Sequence, residues 1–271
     1  MSGRDLLAEA SRRLDRLDAR LIVAEASGRA FDQVDDPTWP DLTWSQVERA
    51  RRMVRRRAEG WPLAYLLGHR GFWDMELGVD PRVLCPRPET ELLLELSQRV
   101  PMADGAWALD VGTGSGALAI GLKRLHPNWQ VAGSDRSQAA LQVARANGRQ
   151  WAPEVHWWWG DLLAPARGRG ITPQLVVANL PYVAPGDRVD PAVRHEPACA
   201  VWGGADGLSP IRRLVAEAAG LLPAGGRLML EVGAGQAERV LAHGRGLFHG
   251  EATVHPDLSG QGRVVVFCQG G

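Results

Sequence analysis

Cysteine is scarce: Cys85, Cys199 and Cys268 lie far apart and form no CxxC pair. That spacing argues against a disulfide scaffold or a cysteine-rich zinc site, and it fits a reducing cytoplasm. Lysine is scarcer still, with Lys123 alone, so every other basic side chain in the Lys+Arg total of 31 is arginine. Net charge is absent as well, because Asp+Glu also comes to 31. The chain as a whole is therefore no nonspecific polyanion binder, and no stable nucleic-acid binding is expected, although a local basic patch stays open. No run approaches the ~18 apolar residues of a membrane span. Arg4, Asp5 and Glu9 stand where a signal peptide needs an apolar core,. The expectation is a cytoplasmic protein with no membrane partner and no metal, and nothing in the sequence demands more than a monomer. What the chain does have is 45% hydrophobic and 23% charged residues over 271 positions. That is ordinary for a packed globular protein, of a length that suggests roughly two domains.

Residues 4–27 repeat apolar positions (Leu6, Leu7, Ala10, Leu14, Leu17, Leu21) at three- and four-residue spacing, which predicts one amphipathic helix stopped by Gly28,. A turn-rich stretch follows, from Asp35 to Pro40. Thr43 stands three residues before Gln46, a capping box that opens a helix through about Ala58,. A short helix runs from Pro62 to Leu67, so residues 1–70 read as a small helical domain. Residues 71–89, broken by Gly78, Pro81, Pro86 and Pro88, read as a hairpin and linker, and a helix from Thr90 to Arg99 follows with Thr90 as its cap.

In residues 90–271 the period alternates. Extended segments are predicted at Trp107–Val111, Gln130–Ser134, Val155–Trp159, Leu175–Ala178, Arg227–Val232, Ala252–His255 and Arg263–Phe267. Helices at Ala117–Leu125, Gln138–Asn147 and Pro210–Leu221 lie between most of them. This is the α/β pattern of a doubly wound, mostly parallel sheet covered on both faces. The last two extended runs are joined by a turn and pair antiparallel.

The strongest local feature is Asp110-Val111-Gly112-Thr113-Gly114-Ser115-Gly116-Ala117, at the first strand-to-helix junction. Glycines let a backbone approach a ligand closely and aim amides at it from a helix N-terminus. Gly112, Gly114 and Ala117 also satisfy a dinucleotide fingerprint, so the loop alone is ambiguous. Asp110 repels a pyrophosphate but attracts an ammonium, which fits the zwitterionic end of S-adenosylmethionine; capping of a turn is the structural alternative. Asp135 ends the second strand, where a carboxylate accepts bonds from ribose hydroxyls, in NAD as much as in S-adenosylmethionine. Asp161, with Leu162, either accepts the adenine amine or caps a helix.

After the fourth strand comes Asn179-Leu180-Pro181-Tyr182. The nitrogen of a planar –NH2 group conjugated to a π system is a poor nucleophile, because its lone pair is delocalised. Methylating it requires acceptors on both N–H bonds and alignment on the methyl carbon. The Asn179 side-chain oxygen and the Leu180 carbonyl can supply the acceptors, Pro181 can fix the turn, and Tyr182 can stack on the flat group. An ordinary strand-end turn is the alternative.

With these residues the chain resembles the HemK/PrmC family, the glutamine-N5 methyltransferases of peptide chain release factors. The resemblance includes Pro62-Leu63-Ala64-Tyr65, Gly71-Phe72-Trp73, Pro86-Arg87-Pro88-Glu89-Thr90-Glu91, Glu196-Pro197, Gly203 to Leu208, Leu230-Glu231-Val232-Gly233 with Gln236, and Asp257-Leu258 with Gly260. It implies a helical N-terminal domain that docks the release factor and a class I S-adenosylmethionine-dependent methyltransferase domain whose product is S-adenosylhomocysteine. By motif, Gly112 to Gly116 and Asp135 would hold the cofactor, Asn179 to Tyr182 would orient a glutamine, and Glu196 would border it. The family more often has an aromatic at position 162 and proline at position 180; here both are leucine. The carbonyl acceptor survives the second change, because it belongs to the backbone.

The remaining features weigh less. Residues 49–57 hold six arginines, a solvated face or an attractor of an acidic partner. Trp157 and Trp158 read as core, with Trp159 as core or adenine wall. His195-Glu196 lacks the second histidine of a zinc protease motif. Two other functions stay open: an adenine-N6 methyltransferase acting on DNA or rRNA, which shares the planar-amine chemistry and the NLPY spelling, and a noncatalytic cofactor-binding adaptor.

Overall fold

A computed structural model describes residues 1–36 and 41–271; the turn predicted at 35–40 lies partly outside them. The chain divides into two compact units, Met1–Arg70 with Val189–His195, and Gly71–Arg188 with Glu196–Gly271.

The first unit holds α1 (Gly3–Ala10), α2 (Arg16–Ser27), α3 (Trp44–Ala58) and α4 (Leu63–Leu67). The single helix predicted over 4–27 is two helices. Asp15 turns its carboxylate back onto the Asp18 amide at 3.0 Å and starts a new helix, a side-chain bond that competes with continuation,. Gly28 ends α2 in the left-handed region, and the Thr43–Gln46 capping box forms as predicted. The apolar faces meet through Leu6, Ile22, Val23, Val47, Ala50 and Val54. Of the arginines on α3, Arg49, Arg51 and Arg57 are tied to Glu25, Glu9 and Asp18, whereas Arg52, Arg55 and Arg56 are exposed.

A hairpin of β1 (His69–Phe72) and β2 (Met75–Gly78) begins in the last two residues of Met1–Arg70 and continues into the second unit, where α5 (Glu91–Ser97) follows. Thr90 precedes α5 but does not cap it: its backbone is already helical, and its hydroxyl is engaged elsewhere. The alternation that follows is β3 (Trp107–Val111), α6 (Ala117–Leu125), β4 (Gln130–Asp135), α7 (Gln138–Trp151), β5 (His156–Trp159), α8 (Ala164–Arg167) and β6 (Leu175–Ala178). It continues with α9 (Ala198–Val201), α10 (Ser209–Ala219), β7 (Arg227–Glu231), α11 (Ala237–Gly244), β8 (Ala252–Pro256) and β9 (Gly262–Cys268). The seven-stranded sheet runs β5-β4-β3-β6-β7-β9-β8, parallel except for β9, which is antiparallel to both of its neighbours.

Side chains alternate between two cores, as a sheet buried on both faces requires. Leu109, Val176, Leu228 and Val265 pack on one side; Ala108, Val177, Met229 and Val264 pack on the other, against α5 and α6. By the same alternation Asp110 and Glu231 share the second face, each at the C-terminal end of its strand. The three tryptophans divide likewise: Trp158 enters the first core and Trp157 packs on the second, but Trp159 is 62% exposed and belongs to neither. The Trp157 indole fills the space that side chains at Gly116, Gly133 and Gly148 would need.

Candidate active site

The parallel strands end on a common edge, and the crevice of a doubly wound sheet opens beyond it, at the β3/β6 switch of strand order. A cleft of about 290 Å³ lies there. Asp110, Gly112 to Ser115 and Asp135 line one end, Asn179, Leu180 and Pro181 the other, and Asp161 and Leu162 also line it. Gly116, Tyr182 and Glu196 are not in its lining.

The first end is built from backbone. Gly112 and Gly116 adopt φ of 75° and 87°, a region side chains disfavour, and a Cβ at Gly112 would meet the Leu180 side chain,. The Gly112 and Thr113 amides both donate to the Ser134 carbonyl at 2.9 Å, and the Gly114 amide donates to the Asp135 carboxylate at 3.0 Å. Asp110 is fully enclosed, with one oxygen accepting from the Thr113 hydroxyl at 2.5 Å and the Ala119 amide at 3.1 Å. It thus pins the first turn of α6, while no donor among the described residues reaches its other oxygen. Burial pushes its carboxyl up to about 7 against those two bonds, with the Asp135 charge adding to the rise,. Asp135 is raised too, by burial, against bonds from the Ser137 and Gly114 amides.

Leu162 has a φ of 45° and is buried. Asp161 caps no helix; its carboxylate is ion-paired with Arg213 at 2.5 Å.

The second end is built from side chains brought from afar. The Asn179 amide nitrogen donates to the Thr90 hydroxyl at 2.9 Å, and that hydroxyl donates to Glu231 at 2.5 Å. Tyr182 points its hydroxyl at the other Glu231 oxygen, 3.3 Å away, rather than turning its ring to the cleft. Burial, with the Glu231 charge, holds the Tyr182 phenol well above its usual value. The Tyr182 carbonyl accepts from the Gln236 amide at 2.8 Å, so the whole tetrad is strapped down. Glu196 sits behind the lining, buried, where it takes Arg87 at 2.6 Å and the Cys85 amide at 3.2 Å. Burial raises its carboxyl and Arg87 opposes the rise.

Residues 1–68 match the family model described as PrmC N-terminal domain, and residues 88–196 match Methyltransferase small domain. A release factor glutamine methyltransferase from Coxiella burnetii is 36% identical over 262 residues, covering 94% of this chain and 92% of that protein. One from Deinococcus radiodurans is 38% identical over 283 residues, covering 98% of each. The chain belongs to the release factor glutamine methyltransferase family. The fold agrees: a crystal structure of a methyltransferase from Pyrococcus furiosus, 16% identical, superposes with a TM-score of 0.55 over 83% of this chain and 99% of that one.

Several residues in and behind this family member's cleft escape sequence reasoning. Arg213, opposite Asp161, carried no local signal. Gln236 was noticed only as part of a motif. Glu231 did carry one: it is an acid at the end of an apolar strand, and a buried charge needs partners,. Thr90 was visible in the Pro86–Glu91 segment but was read as a helix cap. No helix among the described residues is long and apolar enough to cross a membrane.

Proposed function

We propose that this methyltransferase transfers the methyl group of S-adenosylmethionine to the side-chain amide nitrogen (N5) of the glutamine in the Gly-Gly-Gln motif of peptide chain release factors. The observation that carries this reading is the Asn179 carboxamide, held by its nitrogen on Thr90 at the cleft wall. Its oxygen is left as an acceptor for a planar amide.

The glycine turn and its flanking acids fit the cofactor. Gly112 to Ser115 bring main chain to the cleft wall, and Asp110 lines the cleft with a carboxylate whose second oxygen takes no donor among the described residues, suited to an ammonium,. Asp135 would take the ribose hydroxyls, and Asp161 and Leu162 would flank the adenine, Asp161 exchanging Arg213 for its amine. When bound, S-adenosylmethionine supplies an electrophilic methyl group and leaves as S-adenosylhomocysteine.

The chain's own residues do the rest. Asn179 Oδ1 and the Leu180 carbonyl accept the two N–H bonds of the substrate carboxamide, which orients its nitrogen and stabilises the positive charge that develops there. Pro181 fixes the turn, and Tyr182 braces it from behind through Glu231. Glu196 holds Arg87 and the Cys85 amide, shaping the wall next to the acceptor end. The N-methylated amide loses its proton readily, so no strong base is required. Residues 1–70 serve as the docking domain, with Arg52, Arg55 and Arg56 presented to an acidic surface.

The test uses labelled cofactor with a release factor, or with adenine-containing RNA and DNA, and locates the methyl group. Label on the glutamine is expected; label on adenine would overturn the reading.

A further inference from the structure

Beneath the acceptor corner, outside the lining of the cleft, lies a buried carboxylate. Glu231 ends β7 at 1% exposure and receives two hydroxyls, from Thr90 at 2.5 Å and from Tyr182 at 3.3 Å. A hydroxyl has one proton to give, and an ionised carboxylate can only accept. While Glu231 is ionised, the Thr90 proton is committed to it, so Thr90 can only accept from its third neighbour. That neighbour is Asn179, whose NH2 group therefore faces Thr90. We propose that Thr90 and Glu231 form a positioning relay that sets which face of the Asn179 carboxamide meets the substrate. This rests on the acceptor role of Asn179 proposed above.

The relay has a second setting. A proton on Glu231 would donate to Thr90, and the Thr90 proton would then turn to Asn179. That favours the flipped carboxamide, which presents NH2 where the substrate needs an oxygen. The charged and titratable groups facing Glu231 are Arg263 from β9, Glu89 from the turn before α5, and Tyr182 from the loop after β6. Burial pushes Glu231 up to about 7; Thr90, Arg263 and Tyr182 hold it down, and Glu89 pushes it up. Turnover at saturating cofactor and substrate is therefore lost as pH falls through about 7, by a route that leaves both ligands bound.

The experiment measures kcat, cofactor affinity and the pH profile of kcat in Thr90→Val, Thr90→Ser, Glu231→Gln and Asn179→Ala. Thr90→Val should lower kcat roughly 10- to 100-fold, as expected when an orienting group is displaced without losing its ligand. Its cofactor affinity should stay at the parent value, and Thr90→Ser should restore the rate. Full-rate Thr90→Val beside inactive Asn179→Ala would overturn the relay alone, whereas full-rate Asn179→Ala would overturn the acceptor role beneath it. If Thr90→Val does not fold, Glu231→Gln decides. Loss of the acid limb of kcat supports the relay, and an unchanged limb overturns it.

Discussion

The two ends of the cleft are built by different means. At the glycine turn the wall is largely main chain, and the acids Asp110 and Asp135, which line the cleft beside it, also brace it through the Ala119 and Gly114 amides. At the other end the Asn179 side chain is held by the Thr90 hydroxyl, which is held in turn by Glu231, 141 positions beyond Thr90. Backbone recognition tolerates few substitutions but needs little support. Side-chain recognition can be switched off by a partner that never meets the ligand.

The comparison breaks most sharply at Asn179. Asn179→Ala should lower turnover roughly 100- to 1,000-fold, as removal of one charge-stabilising contact does elsewhere. Cofactor affinity, read by calorimetry, should stay unchanged, and equal losses in both would mean that the two ends are not separable. At the other end, Gly116→Ala should cost roughly 1–3 kcal/mol of stability. Its Cβ must take a disfavoured φ and overlap the Trp157 ring, so a thermal melt should show a drop that Asn179→Ala does not.

Asp110→Asn should weaken cofactor binding roughly tenfold or more, by removing a charge from a buried site. Its effect on the free protein has the opposite sign. Burial raises the Asp110 carboxyl to about 7, so folding favours its neutral form. That contribution is fully present below the ordinary carboxylate range and is lost as pH rises through about 7,. Free Asp110→Asn should therefore melt higher than the parent at pH 8, with the gain vanishing near pH 4. An equal or lower melting temperature at pH 8 would contradict the burial argument.

The smallest effect probes a place where the ends meet. Leu180 occupies the space of a Gly112 side chain, so Gly112→Ala and Leu180→Ala should couple by roughly 0.5–1 kcal/mol in a double-mutant cycle,. Leu180→Ala should relieve the overlap but not the backbone cost of a positive φ.

What sequence could and could not reveal follows the same division. The strand, glycine turn and helix from Trp107 to Leu125 were legible because their determinants are adjacent in the chain. So was the capping box of α3. The break between α1 and α2 was hidden because the apolar period runs through it, and only the Asp15 side chain interrupts the backbone. α11 lies between two predicted strands where the sequence reading places no helix. The tetrad at Asn179 was visible, but its supports were not. A threonine before a leucine-rich run looks like a cap, and nothing local shows its hydroxyl going to Glu231. Trp159 reads from strand alternation as core or adenine wall, yet it sits at a strand end outside the cleft lining, exposed, with its indole nitrogen on the Arg136 carbonyl.

The Trp157 indole, pressed against glycines from the ligand loop, from β4 and from α7, carries an evolutionary implication. A methyl group at any of those three positions overlaps the indole and carries a cost in stability, and the indole cannot shrink without leaving a void behind the turn. Drift at these four sites is therefore expected to be concerted. A descendant with a smaller residue at 157 should be the background in which an alanine at 148 first becomes tolerable, whereas one at 133 still meets the Thr113 hydroxyl.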